Sequence, residues 1–66
     1  MRQTIKLKSV GDLALVLVMW GSNRKEFVVT KGLNETETEW DYSLGYYDNL
    51  DDANEKYEEV KKAQRY

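Results

Sequence analysis

Polar and apolar positions change period along this chain, and the changes divide it into elements. Over residues 4–10, Ile5 and Leu7 alternate with Lys6 and Lys8. A period of two sends successive side chains to opposite faces, so this segment predicts a strand with one apolar face and one lysine face. Lysines suit the edge of a sheet, where charge discourages pairing with another chain. Val10-Gly11-Asp12 predicts a turn. Residues 13–20, from Leu13 to Trp20, are apolar without a break, mostly branched, bounded by glycines and short for a helix. They predict a central strand covered on both faces. Gly21-Ser22 followed by Asn23 predicts a tight hairpin, then a strand over 25–31 containing Phe27-Val28-Val29-Thr30. Gly32-Leu33-Asn34-Glu35 predicts a loop.

The clearest alternation runs over 37–47. Trp40, Tyr42, Leu44 and Tyr46 fall on one face, and Glu37, Glu39, Asp41, Ser43 and Gly45 on the other. This predicts a half-buried strand, with Gly45 marking a bulge or a close backbone approach. The period then changes to that of a helix. Leu50, Ala53, Tyr57 and Val60 make one apolar stripe, Asn49 is placed to cap it, and Asp51 and Asp52 lie at its positive end. Lys61, Lys62 and Arg65 lie at its negative end. The expected fold is α+β: a three- or four-stranded antiparallel meander with one C-terminal helix packed on one face, (β)βββα. One domain spans 1–66, with 1–3 expected to be disordered and the helix expected over about 50–65.

Composition limits how such a fold is stabilised. At 66 residues the chain buries only ~60% of the surface its unfolded form exposes. It has no cysteine and no histidine, so disulfides are excluded and a structural zinc site lacks its usual ligands. A well-packed core or self-association remains, and 41% hydrophobic residues suit both. A single helix covers one face of the sheet, yet both faces of the 13–20 strand are apolar. A second copy of the chain is one way to cover the other face, which makes a homodimer an expectation. Long neighbouring side chains and the N-terminal segment are another.

No signal peptide and no membrane span are expected, and the lack of cysteine agrees with a cytoplasmic protein. The acceptor pattern Asn34-Glu35-Thr36 is read as chance.

Charge is sorted by position. Residues 1–31 carry Arg2, Lys6, Lys8, Arg24, Lys25 and Lys31 against Asp12 and Glu26. Residues 32–66 carry ten acids against Lys56, Lys61, Lys62 and Arg65, within a net charge of −2. General acid–base and nucleophilic catalysis draw mainly on side chains that are missing here or lack an activating context, so no enzyme is expected. Two carboxylate groups, Glu37/Glu39/Asp41 and Asp48/Asp51/Asp52, are read as solvated polar positions and helix-start charges. No catalytic residue, metal site or cofactor is assigned. The aromatic face of Trp40, Tyr42 and Tyr46 has the residue types of a base-stacking platform, but its strand is acidic on the other side, so nucleic acid is an unlikely partner.

The expected function is therefore protein binding. Glu35, Glu37, Glu39 and Asp41, with Glu55, Glu58 and Glu59 of the helix, are the candidate acidic surface for a basic partner. Two alternatives stand beside it. Lys6, Lys8, Arg24, Lys25 and Lys31 are a candidate basic patch for weak nucleic-acid binding, and the chain is also consistent with a homo-oligomeric accessory protein. The segment Gly45-Tyr46-Tyr47-Asp48-Asn49-Leu50-Asp51-Asp52-Ala53, a strand entering a capped helix, resembles small uncharacterised proteins of phages and mobile elements of Gram-positive bacteria. The resemblance covers about the last third of the chain and brings no site residues with it. It implies a small protein that inhibits or modulates a host nucleic-acid-handling protein by binding.

Overall fold

The computed structural model describes residues 3–21, 23–36 and 38–64. Strands β1 (Gln3–Val10), β2 (Leu13–Met19), β3 (Lys25–Lys31) and β4 (Tyr42–Tyr47) precede one helix, α1 (Leu50–Ala63). The strands pair antiparallel in the order β1-β2-β3-β4, and α1 packs on β2, β3 and β4. The fold is the expected α+β meander, (β)βββα, with four strands. Gln3, expected in a disordered lead-in, pairs with Met19. Ser22 of the predicted hairpin and Arg65 of the helix end lie outside the described residues.

β2 is apolar on both faces because both are buried. Directly opposed residues share a face, so the register assigns each side chain to one of two clusters. Under α1, Leu13, Leu15 and Val29 pack with Ala53 and Tyr57, flanked by Val10, Phe27, Leu44, Tyr47 and Val60. On the opposite face Ala14, Val16, Val18 and Val28 pack beneath Leu33 and Trp40. Thr30 is fully buried, and its Oγ1 donates to the Ala14 carbonyl at 3.4 Å. This second face is the one for which a covering copy was expected. The segment between β3 and β4 covers it instead, leaving Val16 0% and Val28 1% exposed, so no second copy is needed to bury it.

That segment is held down at several points. Gly32, at φ 79°, turns the chain away from β3, and its N–H donates to the Asp12 carbonyl at 3.0 Å. A β-carbon at Gly32 would lie 2.7 Å from Asp41 Cγ, so both the backbone angle and the space favour glycine. Asn34 organises the rest. Its Oδ1 accepts from Thr36 Oγ1 (3.1 Å), Thr38 N (3.0 Å) and Glu39 N (3.2 Å), while its own N–H donates to the Glu39 carbonyl (2.9 Å).

Two strands differ from their expected form. β4 begins at Tyr42 rather than near 37. Lys31 pairs with Tyr42, so continuing that register backwards would bring position 37 opposite 36, its own neighbour. The alternation therefore extends beyond the strand that can form. The pairing also shifts between Val29 and Thr30, skipping Leu44, which joins the cluster beneath α1. The predicted common face of Trp40, Tyr42, Leu44 and Tyr46 is thereby divided: Leu44 lies toward α1, while Tyr46, opposite Val28, lies on the other face. Gly45 adjoins this bulge, the first of its two expected roles; what approaches it closely is a side chain and not a backbone, since a β-carbon there would lie 2.6 Å from Tyr47 Oη. β1 carries a second register shift, between Lys6 and Lys8. Lys6 opposes Val16 on the face away from α1, and Lys8 opposes Leu15 on the face beneath it. The two lysines expected on one face are on opposite faces.

α1 follows its sequence signals. Asn49 Oδ1 accepts from Asp52 N at 2.9 Å, satisfying an otherwise orphan N–H of the first turn. Asp51 and Asp52 lie in the first turn and Lys61 and Lys62 in the last, each matching the dipole. Ala53 and Tyr57 are buried and Val60 partly so, whereas Leu50, expected in the stripe, is 45% exposed.

Candidate functional site

The fold distributes the predicted acidic residues instead of aligning them. Glu35, Glu39 and Asp41 are exposed on the segment that covers the face away from α1. Glu37 lies outside the described residues. Glu35 borders a shallow depression with Lys6, Ser9 and Leu33 above β1 and β2. Glu39 and Asp41 border another with Gly32 and Trp40, at the start of β4. Glu55, Glu58 and Glu59 belong to α1, across the sheet, so the acids do not form the single strand-face row that alternation predicts.

Within α1 the acids diverge again. Glu58 faces β1, with Oε1 3.9 Å from Lys8 Nζ and Oε2 3.9 Å from Lys61 Nζ. Glu55 and Glu59 lie on the β4 side, where with Asp52 and Lys56 they line a 220 Å³ depression beside Tyr47. Lys56 lies 4.0 Å from Glu59. The result is a negative border around β4: Glu39 and Asp41 where it begins, Asp48 and Asp51 just past its end, and Asp52, Glu55 and Glu59 along its α1 side. Asp48 and Asp51 were missed as members of a surface. In the sequence, Asp51 is accounted for by the helix dipole and Asp48 by its place just before the cap.

The five cations of the alternative patch are dispersed. Lys8 reaches α1, donating to Asn54 Oδ1 at 2.5 Å and lying 5.7 Å from the Tyr57 ring centroid. Lys31 is largely buried, 3.7 Å from Asp12 and 2.7 Å from the Gln64 side-chain oxygen. Arg24 and Lys25 occupy the opposite end of the sheet, beside Met19, Gly21 and Asn23. Lys25 and Lys31 terminate the same strand, a span of about 20 Å at ~3.3 Å per residue. Lys6 lies on the face away from Lys8.

Burial raises the Tyr57 hydroxyl pKa above its ordinary 10.0, and neighbouring Glu58 raises it further. Among the described residues, no group of three or more Asp or Glu side chains is placed to hold a metal ion. The surface depressions named above range from 140 to 280 Å³, below the ~300–1,000 Å³ of typical small-molecule sites. No helix among the described residues is long and apolar enough to cross a membrane. No protein-family model, curated protein or solved structure matches the chain.

Proposed function

We propose that this protein is a small non-catalytic binding module that presents acidic side chains to a basic surface of a protein partner. The observation that carries this reading is uncompensated charge. Among the described residues, Glu35, Glu39, Asp41, Asp48, Asp51 and Glu55 are exposed and make no ion pair. Lys8, Lys31, Lys56 and Lys61, which could neutralise acids, are engaged elsewhere. Unpaired exposed acids repel one another in the free protein, and a cationic partner relieves that repulsion and is steered toward them. A partner that handles nucleic acid offers such a surface, because its own ligand is a polyanion. With the resemblance of residues 45–53, this makes the protein a phage-type modulator of a host nucleic-acid-handling protein, acting in the cytoplasm.

Affinity capture from a host-cell lysate tests the reading. The wild type retains a basic protein that elutes with salt, and the Glu35→Lys/Glu39→Lys/Asp41→Lys variant, folded by circular dichroism, loses it. Equal retention by the variant would show that these acids do not make the contact.

A further inference from the structure

β4 is a sheet edge of unusual character. Among the described residues its outer side faces no strand, and no backbone hydrogen bond reaches it from an element other than β3. An exposed edge presents a row of backbone donors and acceptors that can template another strand. The other edge, β1, is guarded by Lys6, Lys8 and a bulge between them. β4, Tyr-Ser-Leu-Gly-Tyr-Tyr, carries no charge of its own. The charge lies around it: Glu39 and Asp41 before it, Asp48 after it, and Asp52, Glu55 and Glu59 beside it on α1.

We propose that the outer edge of β4 accepts an extended segment of another protein by strand addition, the segment bearing lysine or arginine at alternate positions. This rests on the acidic-surface reading above and specifies how the partner is held. Alternation follows from geometry. Side chains of an added strand on the α1 side meet Asp52, Glu55 and Glu59 with one cation, Lys56, among them, a lining that is net negative and favours cations. Those on the other side meet Tyr46, which is 58% exposed and oriented by a 3.0 Å bond from Ser43 Oγ to its hydroxyl. Uncharged residues suit that side. The bulge at Leu44 twists the first part of β4, so pairing centres on 45–47, next to Asp48 and α1. The competing occupant is a second copy offering β1, whose Ile5-Lys6-Leu7-Lys8 alternates in sequence although its lysines lie on opposite faces. It fits less well, because Lys8 is already bound to Asn54 and Glu58 and the bulge interrupts the register. Such a head-to-tail contact also need not close into a finite assembly.

The probe is a capped peptide of about seven residues, Val-Lys-Val-Lys-Val-Lys-Val, titrated into the full-length protein with residue-resolved amide NMR and hydrogen exchange. The control is the same peptide methylated at every backbone nitrogen, which keeps its charge and loses its donors. Strand addition predicts shifts and slowed exchange at 45–47. It also predicts at least about tenfold weaker binding by the methylated peptide and by the Glu55→Lys/Glu59→Lys protein. Equal binding of both peptides overturns strand addition while leaving the acidic-surface reading intact. So does contact mapped to β1, or failure of both peptides when the lysate capture succeeds. If that capture also fails, both proposals fall. Protection of the same amides by rising protein concentration alone assigns the edge to a second copy and overturns the proposal.

Discussion

Tyr57 is the residue at which packing, charge and pH meet. Its ring is buried against Leu13, Leu15 and Val29, and Lys8 approaches from β1 while Glu58 is its neighbour on α1. Burial disfavours the phenolate, so the hydroxyl holds its proton more tightly in the folded chain than in the unfolded one. The unfolded chain then binds fewer protons wherever its own tyrosine is ionised, and stability falls as pH rises. Stability from this group is complete below the ordinary value of 10.0 and is lost as pH rises from there through the folded-state value. Urea unfolding between about pH 9 and about pH 11 checks this: Tyr57→Phe should lose less stability over that interval than wild type. Identical slopes would show that Tyr57 is not the group responsible. The helical stripe already marks Tyr57 as a core residue in the sequence. Asn34 is different: its role in gathering three donors depends on where the backbone of Thr38 and Glu39 returns, which no local pattern states.

At the scale of elements, the helix and the two central strands were legible because their signals are local. A cap, a dipole-matched charge distribution and an apolar stripe all act within one helix, and an unbroken apolar run needs only its own residues. The loop over 32–35 forms as its residues predict, but β4 starts later than the alternation does, because the spacing of Trp40, Tyr42, Leu44 and Tyr46 is a strand pattern even where no neighbouring strand is available. Trp40 nevertheless reaches an apolar surface, from a loop instead of a strand. Its removal should therefore affect more than the loop. Trp40→Ala should cost about 2–3 kcal/mol in urea unfolding, less than the ~3–5 kcal/mol of a fully buried tryptophan because the side chain is only partly buried. The uncovered Val16, Val18 and Val28 should then promote self-association in sedimentation. A monomeric variant of unchanged stability would show that the segment does not protect this face.

For the molecule as a whole, the margin is narrow. Total stability for 66 residues is about 3–10 kcal/mol at the usual ~0.05–0.15 kcal/mol per residue. Leu15 is fully buried between α1 and β2's neighbours, and Leu15→Ala should cost about 2–5 kcal/mol. A large unfolded population at 37 °C, read by circular dichroism, is the expected result; a well-folded variant with unchanged melting would place the stabilising core elsewhere. The sequence by itself determined the order of elements, the antiparallel meander, the capped helix and the central position of β2. These follow from side-chain period, capping and turn residues, which act over a few positions. Only the tertiary structure decided which face each charge occupies, what covers the second face of the sheet, and which edge is left uncharged. The physical reason is register. A single skipped residue in β1 places Lys6 and Lys8 on opposite faces, and another in β4 sends Leu44 inward. Both shifts are set by the pairing of each strand with its neighbour and not by the side-chain period of either strand alone, so the division of charge along the sequence is not a division of charge in space.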